Sequence, residues 1–184
     1  ALALAFRPDV EVRPIRGNLD TRLDKVDAGV CDALVLAAAG VIRLDREDRI
    51  GEWLDASSWL PAPAQGALGI VGRRGDGRTE AALESLHHPP TAAAVAAERS
   101  MLAALEGGCQ VPIGALGLPY GPGLRLRGVV ASPDGTRVVR DDLTGAVSEP
   151  EALGLRLGES LRAKGADDIL AELEEAAVSD PRLT

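Results

Sequence analysis

Leu124 to Asp141 reads LRLRGVVASPDGTRVVRD, and this stretch decides the fold of the C-terminal half. Two apolar-rich runs, Leu124–Ala131 and Thr136–Asp141, flank Ser132-Pro133-Asp134-Gly135. Proline presets one turn dihedral, aspartate bonds its own backbone, and glycine accepts a positive φ. The two runs are therefore expected to pair antiparallel as a hairpin. Val111–Leu116 reads as a third strand, and Glu149–Lys164 and Asp167–Ala177 as two closing helices. Strands followed by helices predict a small α+β domain on a three-stranded antiparallel sheet.

Upstream of the sheet, Pro89-Pro90-Thr91 opens an alanine-rich helix expected over about Ala92–Glu106, with Thr91 as its cap. The helix runs into LEGGCQVPIG, Leu105 to Gly114. Gly107 and Gly108 end it, because glycine takes the left-handed conformation that a helix C-terminus needs. They also clear side chains from beside Cys109. A free cysteine is ordinarily a small buried hydrophobe. As an activated catalytic thiol Cys109 is badly placed, since the negative end of a helix dipole raises a thiol pKa. The position suits a sulfur that reacts once and stays bonded. Cys31 is expected to be a core residue at the start of a strand.

The N-terminal half reads differently. Ala1–Phe6 looks like the tail of a helix ended by Pro8, so the chain is expected to be part of something longer. Val10–Ile15 alternates like a strand. Asn18 is a good N-cap for a helix with Leu19, Leu23 and Val26 as its apolar stripe, closed by Gly29. Ala33–Ala37 (ALVLA) reads as a strand covered on both faces. Strand, helix and strand predict a right-handed parallel βαβ unit. Ala38–Leu44 is expected to be a short helix carrying Arg43. Leu60–Gln65 (LPAPAQ) is a proline-broken connection, Gly66–Gly72 a short apolar strand, and Arg73–Glu80 a polar segment.

The 184 residues suffice for a real core, and with 46% hydrophobic but 2% aromatic residues it must be aliphatic. A net charge of −8 argues against a sequence-independent nucleic-acid binder. No apolar run approaches the ~20 residues of a membrane span. Two cysteines make no disulfide framework and fit a reducing compartment, the cytoplasm. Adjacent His87 and His88, the two histidines of the chain, are not expected to form a metal site and read as solvated turn residues. Arg16-Gly17-Asn18 stands at a helix N-terminus with Arg22 one turn inside. Free N–H groups and the dipole favour an anion there, whereas arginine is normally disfavoured. Arg43 follows the second predicted strand, beyond whose carboxyl end ligands sit. From spacing alone, solvated or salt-bridged arginines with Asp20 or Asp24 as partners are equally admissible.

Five stretches taken together resemble the hydroxymethylbilane synthase (porphobilinogen deaminase) family. They are IRGNLDTRL (Ile15–Leu23), DALVLAAAGVIRL (Asp32–Leu44), LPAPAQGALGI (Leu60–Ile70), AAERSMLAALEGGCQVPIG (Ala96–Gly114) and ASPDGT (Ala131–Thr136). The resemblance implies a partial periplasmic-binding-protein-like α/β domain over residues 1–66. It implies a return strand and connector over 67–88 that belong to a first domain not matched here, and a C-terminal cofactor-attachment domain over 89–184. It implies a dipyrromethane cofactor held by a thioether on Cys109, with Arg16, Arg22 and Arg43 binding acetate and propionate groups of cofactor and growing chain. Asp20 stands where a small residue is more familiar.

The activity so implied is that of a transferase of porphyrin biosynthesis, acting on porphobilinogen and polypyrrole intermediates in a monomer, without nucleic acid or membrane. Porphobilinogen loses ammonia, the electrophile so formed adds to the tethered primer, and after four units hydrolysis releases hydroxymethylbilane. The family's catalytic aspartate and an arginine pair expected just before Ala1 have no counterpart in these residues, so no catalytic residue is assigned and the chain alone is expected to be inactive. A non-catalytic anion-binding module or truncated relic is the alternative.

Overall fold

The computed structural model describes residues 1–105 and 112–179. The chain divides into two compact units, one of Asp9–Asp55 and one of Ala1–Pro8 together with Ala56–Thr184.

The larger unit is built on the sheet. β1 (Ile113–Tyr120), β2 (Gly123–Ala131) and β3 (Val138–Ala146) form one antiparallel sheet in the order β1-β2-β3. The hairpin reading holds: Val130 pairs with Val139, Arg127 with Asp142, and the Gly135 N–H donates to the Ser132 carbonyl at 2.8 Å. Gly135 has φ +74°, and a Cβ there would lie 2.4 Å from the Ala5 nitrogen, so glycine is required twice over.

One face of the sheet carries helices α5 (Pro89–Ala104), α6 (Pro150–Leu161) and α7 (Asp167–Ser179), with an irregular turn over Arg162–Ala166 between the last two. Their apolar stripes form the core with β2, around Met101, Leu105, Leu126, Leu157, Leu161 and Ile169. α5 and α6 meet through Gly154 and Gly158. A Cβ on Gly154 would sit 2.3 Å from the Ala97 carbonyl oxygen, and one on Gly158 2.6 Å from Ala104 Cβ. Arg162 Nε donates to the Ala104 carbonyl at 2.9 Å and satisfies an orphan acceptor at the end of α5.

α5 begins earlier than the sequence predicts, and its cap is not Thr91. His88 takes that role, with Nδ1 against the Thr91 N–H (3.4 Å) and Oγ1 (2.8 Å), because Pro89 and Pro90 fit the first helical turn where no N–H is needed. His88 is thus a helix cap, not merely a solvated turn residue.

The other face of the sheet is crossed by the connection after Asp55. Leu60 is buried against Gly114, the Pro61 carbonyl accepts from Ala115 N–H at 2.9 Å, and Arg140 donates to the Ser58 carbonyl at 2.8 Å. Phe6, at the end of α1 (Leu2–Phe6), stacks on Trp59 with ring centroids 5.3 Å apart. The polar segment after Arg73 contains an unforeseen helix, α4 (Gly77–Glu84), capped by Asp76.

The smaller unit holds α2 (Leu19–Asp27), α3 (Ala38–Arg43) and a 3-10 turn at Glu47–Arg49. Both helices stand where the sequence puts them. The strands of the predicted βαβ unit do not form: residues 10–15 and 33–37 join no ladder, Val12 is 52% exposed and Val35 59%. Residues 66–72 likewise join none, with Val71 97% exposed. A parallel strand takes its hydrogen bonds from segments distant in sequence, so an apolar pattern alone cannot create it. Leu19, Leu23 and Val26 are consequently only half-buried, as is Cys31, which is a free thiol in a loop and not a core strand residue. The structure supports an α/β chain with a three-stranded antiparallel sheet and helices.

Candidate functional site

The head of α2 is assembled from four neighbouring residues. Gly17 adopts φ +126°, where an L side chain would be strained and would lie 3.0 Å from Thr21 Cγ2. Asn18 Oδ1 accepts the Thr21 N–H at 2.9 Å, capping the helix as predicted. Arg22 Nε donates to the Gly17 carbonyl at 2.8 Å, which pins its guanidinium beside the first turn. Lys25, which sequence reasoning did not single out, donates to the Arg16 carbonyl at 2.8 Å and latches the loop from below. Arg16 is exposed and Arg22 half-buried.

Arg43 occupies the last turn of α3, the helix end that favours a cation. α3 approaches the head of α2, since a Cβ on Gly40 would lie 3.5 Å from Leu19 Cδ2. Neither Asp20 nor Asp24 neutralises these cations. Among the described residues Arg16, Arg22 and Arg43 take part in no ion pair, whereas Arg49 is held by Asp27 at 2.5 Å. In a chain of net charge −8, guanidiniums without an ion pair among the described residues can receive carboxylates, each bidentately. Cys109 lies outside the described residues.

Two family models match the chain in succession. The model described as porphobilinogen deaminase, dipyromethane cofactor binding domain, matches residues 1–81, and the porphobilinogen deaminase C-terminal domain matches residues 92–163. The chain belongs to the porphobilinogen deaminase family. It is 50% identical over 177 residues to the porphobilinogen deaminase of Desulforudis audaxviator, covering 96% of this chain and 57% of that protein. It is 48% identical over 174 residues to that of Thermus thermophilus, covering 94% of this chain and 58% of the relative. The chain thus spans just under three fifths of the length of these relatives. Arg16, Arg22 and Arg43 fall in the span matched by the cofactor-binding model, and Cys109 in that matched by the C-terminal model.

A further residue escaped sequence reasoning. Glu98 of α5 is buried, 6% exposed, and its two carboxylate oxygens accept the N–H groups of Gly117 (2.7 Å) and Ala64 (2.6 Å). Burial raises its pKa above the ordinary 4.5, against the opposing pull of those two backbone donors. The signal was available: Ala94, Ala97, Glu98, Met101 and Leu105 recur at helical spacing, which places Glu98 on the core side of α5.

Proposed function

We propose that this chain is the part of a hydroxymethylbilane synthase that grips the carboxylates of a dipyrromethane cofactor and of the growing polypyrrole. The observation that carries this reading is that Arg16, Arg22 and Arg43, inside the span matched by the cofactor-binding model, take part in no ion pair among the described residues. Their donor chemistry fits acetate and propionate groups, because a planar guanidinium matches a carboxylate through two parallel hydrogen bonds. Arg22, fixed by the Gly17 carbonyl, presents its remaining N–H groups without having to be ordered on binding. Arg16 and Arg43 add charge from the flanking loop and from α3.

When bound through a thioether on Cys109, dipyrromethane supplies the primer to which porphobilinogen units are added. The chain's own residues supply the tether and the anion grip, and the tether makes each addition effectively intramolecular. The periplasmic-binding-protein-like character of residues 1–66, the connector role of 67–88 and the cofactor-attachment role of 89–184 belong to this proposal, as does a cytoplasmic location. Among the described residues no helix is long and apolar enough to cross a membrane. The 184 residues contain no counterpart of the family's catalytic aspartate, so we expect them to turn over little or no porphobilinogen by themselves.

Calorimetric titration of porphobilinogen into the chain tests the anion grip. Arg16→Ala, Arg22→Ala and Arg43→Ala should each weaken binding about tenfold or more, the range of one charge-assisted hydrogen-bonded pair. Affinity equal to wild type in all three would refute the assignment.

A further inference from the structure

The face of the sheet opposite the helices carries a cleft of about 420 Å³ between the Ser57–Leu60 stretch and the outward side chains of β2 and β3. Strand alternation builds its floor. On β2, Leu124, Leu126 and Gly128 turn toward the helices, so Arg125 and Arg127 stand on the outer face. On β3, Asp141 turns to the helix side, where Ser160 and Lys164 bond it, so Arg140 and Asp142 share the outer face with the β2 arginines. Arg127 pairs with Asp142 in the register, which makes Arg140 its diagonal neighbour, about 7–8 Å away.

The charges of this cleft do not cancel. Asp142 offsets Arg125, accepting from its Nη2 at 2.7 Å and its Nε at 2.8 Å. Arg127 and Arg140 take part in no ion pair among the described residues. Arg140 Nη1 donates to the Ser58 carbonyl, and its guanidinium carbon lies 5.8 Å from the Phe6 ring centroid. Arg127 Nη1 reaches the Ser57 carbonyl only at 3.5 Å, the outer limit of a hydrogen bond. Each guanidinium thus keeps most of its N–H donors for another partner. The contacts that do form hold both groups in place, which lowers the ordering cost of receiving one. Two positive charges are left over in a chain of net charge −8.

We propose that this cleft binds a small dianion, either a dicarboxylate or a phosphate group, with Arg127 and Arg140 as its ligands. A planar guanidinium meets a carboxylate or a phosphate through paired N–H bonds. Two negative charges neutralise the surplus, whereas a long polyanion would also meet Asp142 and the acidic surface of the whole chain. The site lies wholly in the larger unit and stands whether or not Arg16, Arg22 and Arg43 grip a cofactor.

Separate titrations of the 184-residue chain with inorganic phosphate and with succinate, at low ionic strength and read through the arginine Nε–H resonances, test it. Wild type should show saturable shifts at Arg127 and Arg140 with at least one of the two anions, half-complete at about 1 mM or below. Arg127→Ala and Arg140→Ala should each weaken that binding about tenfold. Arg137→Ala, which removes a neighbouring arginine already paired with Glu172, should leave it unchanged. The anion that binds more tightly gives the class of the ligand. No saturable shift at Arg127 and Arg140 with either anion, or equal affinity in all three variants, would overturn the proposal. Shifts at Arg16, Arg22 and Arg43 report the other anion grip separately, so either reading can fail without the other.

Discussion

Gly17, Asn18 and Arg22 form a chain of local dependence: the positive φ of Gly17 turns its carbonyl toward Arg22, and the Asn18 cap starts the helix that carries Arg22 back to it. Arg22→Ala removes one exposed hydrogen bond, so unfolding free energy should change by less than about 1 kcal/mol. Porphobilinogen binding should nevertheless drop, and parallel loss of both would make Arg22 a structural residue instead.

Glu98 and Asp141 predict opposite pH dependences. Burial raises the folded pKa of Glu98 above 4.5, so its contribution to stability is fully present below that value and is lost as pH rises through the folded pKa. Asp141 is pushed up by burial but drawn down further by hydrogen bonds from Lys164 and Ser160, the Asp142 N–H and the Lys164 charge. Its pKa lies below 3.8, so its contribution is present above 3.8 and lost as pH falls through the lowered value. Urea titrations of wild type and Glu98→Gln isolate the first effect. The variant should gain on wild type as pH rises above 4.5, and a pH-independent difference would contradict the assignment.

Among the elements, what is local in sequence was legible and what is non-local was not. The β2–β3 hairpin, α2 with its Asn18 cap, α3, α6 and α7 each follow from turn chemistry, caps and periodicity within a dozen residues. The strands expected at 10–15, 33–37 and 66–72 depend on partners that the pattern does not name, and none forms. Arg16 and Arg22 could be named as candidates because arginine at a helix head is unusual, whereas Arg43 stands in the last turn of α3, where a cation is ordinary. Glu98 was not legible, because a glutamate beside an arginine in an alanine-rich helix reads as solvent-facing unless its phase is counted.

Leu157, fully buried between sheet and α5, should cost about 2–5 kcal/mol on truncation to Ala. Gly154→Ala should cost about 1–3 kcal/mol, because a methyl group there meets the α5 backbone and not a flexible side chain. Thermal melts of the two variants check both, and a neutral Gly154→Ala would mean that the helices are further apart than the structure places them. Leu68, Ile70 and Val71, apolar and exposed without ladder partners, should show little amide protection in dilute solution. Strong protection in a monomer would mean that the segment has a partner the structure does not give it.

At the scale of the whole molecule, the proposal assigns two chemistries to two separately matched regions, an anion grip to the guanidinium groups of residues 16, 22 and 43 and a tether to the sulfur of Cys109. Intact mass of the chain isolated from cells whose own full-length enzyme makes hydroxymethylbilane, compared with that of Cys109→Ser, tests their union most directly. We predict a dipyrromethane increment on wild type, none on Cys109→Ser, and unchanged folding of that variant by circular dichroism. Wild-type protein that stays unmodified, or an increment that survives in Cys109→Ser, would contradict it.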